Sequence, residues 1–305
     1  MISVTKLRSM REAIAELVSD GSSVAMGLQL EQMIPFAAGH EIIRQKKRDL
    51  RLIGPISDCL FDQLIGAGCV KDIVAAWVGN VMMGQAYNFR RAVEAGEIRV
   101  FDMTNFTIAL GLQSGAMGLP FLPTRTAMGS DVPKGNHFFY QIISPFEPKE
   151  TLLAVRAIVP DVTIVNVQRA DTNGNAHCWG NFGVMLEAVR AAKRVIVVAE
   201  EIVESEVIAS DPNRTAIPGF LVSAVVHEPF GAHPSPVQGY YGRDNEFFRA
   251  YHAETKTPNE SERWRSKWVD GVNDRKEYLG ILGGERLDML RVKKHAYSAP
   301  VDYGY

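Results

Sequence analysis

The sequence predicts an α/β fold, a mainly parallel sheet sandwiched by helices, followed by a charged helical C-terminal extension. Three observations carry that expectation. Apolar, β-branched runs of five to seven residues recur through the first 226 positions, as in VTIVNVQ (162–168) and RVIVVAE (194–200). Such runs are what strands covered on both faces look like. Segments of helical spacing separate them, the alternation that builds a parallel sheet. Near Gly242 the composition changes: residues 243–294 hold 22 charged side chains out of 52, ten acidic and twelve basic, against 22% for the chain.

Taken in order, Leu7, Met10, Ile14 and Leu17 fall at intervals of three and four, one face of a first helix that Asp20–Gly21 ends. SSVAMG (22–27) reads as a buried strand stopped by a glycine turn. Pro35 can start a second helix through about Gln45. LRLIG (50–54), DIVAAWVGN (72–80) and EIRVFD (97–102) are the next strands, with a helix around Tyr87–Ala95. After PFLP (120–123) come VTIVNVQ, a helix near Leu186–Ala192, RVIVVAE and FLVSAVV (220–226). The expected organisation is an α/β domain over 1–242 and an extension over 243–305. In the extension Trp264, Trp268, Tyr278 and Leu282 are apolar anchors for packing on the domain or on a partner.

With 33 Lys+Arg against 35 Asp+Glu, the net charge of −2 offers no global field for nucleic acid or an anionic membrane. Cys59, Cys69 and Cys178 are odd in number and widely spaced, so a reducing, cytoplasmic setting is expected rather than a disulfide framework or a zinc site. The first 18 residues alternate charged with apolar positions, unlike a signal peptide, and the longest apolar tracts are too short to span a membrane.

The common enzyme signatures are absent: no G-x-S-x-G, no G-x-x-x-x-G-K-[ST], no H-E-x-x-H, no complete G-x-G-x-x-G. Gly66-Ala67-Gly68 precedes a strand instead of following one and reads as a plain turn. Gly111, Gly115 and Gly118 have the spacing of a close helix contact. His177 and Cys178 are neighbours that would face opposite ways in a strand, so they do not form a metal pair. Asn80 interrupts an apolar run; it either caps the next turn or meets a substrate carbonyl or carboxylate, and Gln29 and Gln113 are similar. His233 lies in a Gly/Pro-rich loop after a strand, where it either braces the loop or touches substrate. Glu200–Glu201 resemble an acid/base pair, but helix capping is the preferred reading.

These residues carry a family resemblance. DGSSVAMGLQLEQMIP (20–35) resembles the A-subunit signature of class I CoA-transferases, with Asp20, Gly21, Val24–Met26, Gly27 and Pro35 matching. Leu28, Gln29 and Met33 depart from it, which argues against the 3-oxoacid branch. FRRAVEAGEI, GLPFLPTR, VPDVTIVNVQRADTNGNAHCWG, DPNRTAIPGF and AVVHEPFGAHPSPVQGYYGRDNEFFRAY all look like the A (alpha) chain of glutaconate CoA-transferase, and the resemblance covers essentially the whole sequence.

That resemblance implies the class I CoA-transferase fold and a chain that works with a B (beta) subunit, in a heterotetramer or larger assembly. A glutamate carboxylate on the B chain attacks the acyl-CoA thioester, forms a mixed anhydride, then a glutamyl-CoA thioester, and the acceptor carboxylate reverses the sequence. No metal and no bound cofactor are implied; the CoA thioester is substrate. No nucleophile is expected on this chain. Gly27, Gln29, Asn80 and Gln113 are the expected substrate-binding positions, with His233 beside them. Related chains open a ring in an acyl-CoA during steroid breakdown and carry an acid before GLQ, where this sequence has Asp102-Met103-Thr104-Asn105. Others decarboxylate glutaconyl-type thioesters. A non-catalytic ligand sensor is the reading from another class, but the first 20 residues are too short for a DNA-reading helix-turn-helix.

Overall fold

The computed structural model describes residues 5–292, with Asp302 and Gly304. Helix α1 (Met10–Leu17) opens on a capping box: the Ser9 hydroxyl accepts from the Glu12 amide, and the Glu12 carboxylate accepts from the Ser9 amide. Leu7 stands outside the helix and forms a bridge to Val225. Then follow β1 (Ser23–Ala25), α2 (Phe36–Arg44), β2 (Leu50–Ile56), α3 (Cys59–Gly66), β3 (Val70–Trp77), α4 (Tyr87–Glu94), β4 (Arg99–Asp102) and α5 (Asn105–Ala116). The Gly66–Gly68 segment closes α3 and leads into β3, as a plain turn does, with Gly68 at φ +69°.

Residues 120–160, which lack a clear pattern, form a small antiparallel sheet of β5 (Phe121–Thr124), β6 (Phe139–Ile143) and β7 (Thr151–Arg156), in the order β5-β7-β6. Strand β6 is buried only at Phe139 and exposes Tyr140 and Ile143, so it lacks the continuous apolar signal of a covered strand. The chain continues through β8 (Val162–Ala170), β9 (Ala176–His177), α6 (Met185–Ala191), β10 (Arg194–Ile202), α7 (Ser205–Ser210), β11 (Thr215–Ile217) and β12 (Ala224–His227). The run 220–226 is a strand only from Ala224. Before it, Gly219–Leu221 is a 3-10 turn, held where the Gly219 amide donates to the Asn175 side chain, and Phe220 points into solvent.

The main sheet is parallel in the order β12-β10-β8-β1-β2-β3-β4, with β9 and β11 added antiparallel beside the far end of β8. Its register sets Ser23 opposite Arg51, Arg51 opposite Asp72 and Asp72 opposite Arg99, one row near the amino edge. Two positions on, Ala25, Ile53, Val74 and Phe101 form the next row on that face.

Helices cover both faces. On one, Ile14, Phe36, Ile42 and Leu60 pack on the sheet; on the other, Ile108, Leu112, Met185 and Val189 do. Helices α5 and α6 meet closely because Gly111 and Gly115 bring the backbone against Ile158, and a side chain at Gly115 would also press on Ala191. The extension adds α8 (Asn245–Glu254), α9 (Pro258–Arg265), α10 (Arg275–Leu282) and α11 (Gly284–Leu290). Phe247, Phe248, Tyr251, Trp264, Trp268 and Tyr278 join the same cluster as Ile14 and Phe36, and Phe248 meets Phe36 edge-to-face at 6.3 Å. Burying each such ring stabilises by about 1.5–3 kcal/mol, so the extension packs by its aromatic stripe, while Arg243, Asp244 and Arg275 are buried with it.

Candidate active-site edge

Parallel strands place their carboxyl ends along one edge, where α/β proteins hold ligands. At the end of β1 the chain turns sharply at Gly27, with φ +69°. A side chain there would collide with Ser57, whose hydroxyl donates to the Met26 carbonyl at 3.1 Å. Only glycine allows this approach of the β1 and β2 ends. Next to Ser57, Asp58 adopts φ +46° and is fully buried.

Asp58 accepts from the Arg243 guanidinium at 2.6 Å, and both side chains are removed from solvent. That guanidinium lies 3.7 Å over the Phe248 ring. Burial pushes the Asp58 carboxyl up to about 6, and Arg243 pulls against that shift. Burial also raises Glu31, in the loop after β1, and Arg243 again opposes it. Neither Asp58 nor Arg243 stood out in the sequence, because no local spacing links them and the pairing spans 185 residues.

Asn80 resolves toward the cap. Its Oδ1 accepts from the Met82 and Met83 amides at 3.2 and 3.1 Å, and its Nδ2 donates to the Phe248 carbonyl at 2.9 Å. The residue thus pins the turn after β3 to α8. Gln29 is also buried, its amide 3.4 Å from the sulfurs of Met33 and Cys178. Its loop rests on a second one: the Val184 amide donates to the Leu28 carbonyl, and Gly183 leaves no room for a side chain beside it. Gly27, Gln29 and Asn80 therefore sit on loops of one edge. Gln113 does not join them. It is the ninth residue of α5, about 12 Å along the axis from Asn105, half-buried on the helix that runs back along the sheet.

His233 is fully buried, with Nε2 2.9 Å from an Asp244 oxygen and Nδ1 2.9 Å from the Tyr278 hydroxyl. Burial carries its pKa down to about 4 although Asp244 favours the charged form. Arg286 holds the same Asp244 through two bonds, and Arg275 donates to the Phe230 and His233 carbonyls. Both ring nitrogens are engaged, so His233 braces its loop against the extension. Glu200 and Glu201 cap no helix; both lie in β10. Glu200 accepts from the Phe230 amide, the Tyr241 hydroxyl and Asn166, while Glu201 pairs with Arg169 and Tyr240 on the surface. His177 is buried against the Ile208 carbonyl. Among the described residues no cluster of His, Cys, Asp or Glu has the arrangement to hold a metal ion.

The fold and edge define an α/β scaffold with helices on both faces and loops gathered at the strand ends, and comparison gives the family. A family model described as Coenzyme A transferase matches residues 7–228, and the chain belongs to that family. The A chain of the 3-oxoadipate CoA-transferase of Pseudomonas knackmussii is 39% identical over 90% of this chain and 97% of its own. The A chain of the glutaconate CoA-transferase of Acidaminococcus fermentans is 34% identical over 95% of each. The crystal structure of that glutaconate coenzyme A-transferase superposes with a TM-score of 0.91, covering 96% of this chain and 98% of the matched one. The cholesterol ring-cleaving hydrolase IpdA subunit of Rhodococcus jostii is 30% identical over 87% of this chain and 92% of its own. A relative named for a 3-oxoacid is thus at least as similar as the one named for glutaconate. The departures at Leu28, Gln29 and Met33, expected to argue against the 3-oxoacid branch, do not keep this chain from a 39% identity to a relative of that name. No helix among the described residues is long and apolar enough to cross a membrane.

Proposed function

We propose that this chain is the A (alpha) component of a heteromeric acyl-CoA:carboxylate CoA-transferase of the glutaconate CoA-transferase type, completed by a B (beta) subunit in a heterotetramer or larger assembly. The observation that carries this reading is the extent of the structural match: it reaches 96% of the chain, well past residue 228 and into the helical extension. The CoA thioester is the substrate, no bound cofactor is invoked, and the nucleophilic glutamate comes from the B chain. The three cysteines are reduced and buried, which supports a cytoplasmic setting.

In this reading residues 1–242 are the CoA-transferase domain, and 243–305 form the extension packed on it. The domain supplies one wall of the site. The bare turn at Gly27 lets an acyl group approach the backbone, Gln29 and Asn80 hold the flanking loops, and His233 keeps the loop after β12 in place. Gln113 is the remoter candidate, on α5. The acceptor is a short dicarboxylate or a 3-oxoacid.

The test is to co-purify the chain with its neighbouring-gene product and follow CoA exchange between glutaconyl-CoA or 3-oxoadipyl-CoA and acetate. Exchange that requires both chains is expected. An assembled complex that only hydrolyses or decarboxylates its thioester sinks the transferase reading. One observation favours hydrolysis as the second reading: Asp102 ends β4 at the same edge with an exposed side chain, although Thr104 and Thr107 take the helix-capping role beside it. The same assay decides between them, since hydrolysis releases free CoA without an acceptor.

A further inference from the structure

At the amino edge of the sheet, opposite the loops of Gly27 and Asn80, a cavity of about 490 Å³ opens between the parallel sheet and the small antiparallel one. The register explains its charge. Arg51 and Arg99 flank Asp72 in one row, and this single carboxylate accepts from both guanidiniums, at 2.7–3.1 Å. The next carboxylate along the edge, Asp161, is already held by Ser23 and Lys193. Arg156, at the end of β7, also lines the cavity, and its side chain has no ion pair or hydrogen bond among the described residues. Two guanidiniums and the His137 imidazole therefore face one space, with Arg99 close behind and one shared carboxylate between them.

The apolar wall is built as deliberately. Ile53, Phe138 and Ile158 line the cavity, and the His137 ring lies 4.5 Å from both the Phe101 and Phe138 rings. Arg51 and Arg99 lie 5.8 and 5.9 Å from the Phe101 ring centroid. The His137 imidazole resists protonation: partial burial lowers its pKa first, and the fields of Arg156, Arg51 and Arg99 add to that. Arg51 and Arg156 thus line one cavity, and the nearest carboxylate, Asp72, is shared between Arg51 and Arg99. A pocket of this size, mostly apolar with a few convergent polar groups, has the make-up of a small-molecule site.

We propose that this cavity binds a small molecule that carries a carboxylate or phosphate on an apolar or aromatic body. Arg156 grips the anion through its planar fork, Arg51 adds its charge from beside it while its own fork stays on Asp72, and Phe138 with Ile158 packs on the body. Charge-assisted bonds of this kind contribute enough that losing one fork weakens binding at least about ten-fold.

The test is calorimetric titration of the full chain with hexanoate, AMP and inorganic phosphate. Hexanoate or AMP is expected to saturate one site per chain and to bind more tightly than bare phosphate. Preference for AMP identifies the phosphate source, and preference for hexanoate the carboxylate. Arg156→Gln weakens that binding at least ten-fold, and Arg156→Lys, which keeps the charge but loses the fork, falls between. Arg156 is exposed at a strand end, so unchanged thermal unfolding of the variant is the folding control. The proposal is overturned if neither organic ligand binds, or if both bind Arg156→Gln as tightly as the unaltered chain.

Discussion

Glu200, in β10, and His233, in the loop after β12, are shifted in opposite directions by the same cause. Burial pushes the Glu200 carboxyl up to about 7 despite three hydrogen bonds, and takes His233 down to about 4. Between pH 4.5 and 7 the folded chain keeps a proton on Glu200 that the unfolded chain has lost, so this residue's contribution to stability falls as pH rises. Between pH 4 and 6.5 the unfolded chain protonates His233 and the folded chain does not, so that contribution grows as pH rises. The two largely offset each other in the unaltered protein. Glu200→Gln removes the first contribution and leaves the second: its stability relative to the parent should grow by up to about 3 kcal/mol from pH 4.5 to 7. Denaturant unfolding at a series of pH values measures this, and a constant difference across the range refutes it. The buried pair at the site edge behaves otherwise. Arg243→Met leaves Asp58 buried without its partner and should cost about 3–5 kcal/mol, with Asp58→Asn in the same chain restoring part of it. If the two substitutions instead add without coupling in a double-mutant cycle, the pair is not what holds that edge.

At the scale of elements, the extension is a part of the core rather than an appendage. Trp264 packs edge-to-face on Phe247 and Tyr251, with ring centroids 5.9 and 4.8 Å away. Trp264→Ala should therefore lose about 3–5 kcal/mol, readable as a shift of the urea midpoint. A chain ended after Gly242 bares the face around Phe36 and Leu60 and should aggregate on expression. Soluble material with the parent's melting temperature would show that this face needs no cover. The covered strands were legible in the sequence because both of their faces are apolar, as Val162–Val167 and Val195–Ala199 illustrate. The antiparallel sheet was not, since β6 is mostly exposed and its partner β7 comes after a turn. The site edge was half legible: Gly27 ends a readable strand, and Asn80 breaks an apolar run. Asp58 and Arg243 were hidden, because an ion pair between residues 185 positions apart leaves no local spacing to read.

On the scale of the whole molecule, two faces of one sheet are closed so fully that reactive groups are kept inside. Cys59, Cys69 and Cys178 are each about 1% exposed, and burial raises Cys69 to about 11 and Cys178 to about 12. A thiol reagent at pH 8 should therefore label none of the three in the native chain and all three in denaturant. One label taken up quickly under native conditions would mean that part of this shell opens. The sheet is nevertheless not uniform. On one side β8 pairs with β1 only at Val162 and Thr163, and with β9 only at Arg169 and Ala170. No strand flanks Ile164–Gln168 on that side among the described residues, so the sheet carries a notch beside its middle strand. The turn at Gly27 opens onto it, and the loop that follows can change sequence without disturbing a single ladder hydrogen bond. Such an arrangement separates two kinds of position in the loop: Leu28, Gln29 and Met33 stay packed in the core, while residues 30–32, half-buried between them, can vary as the strands stay in register.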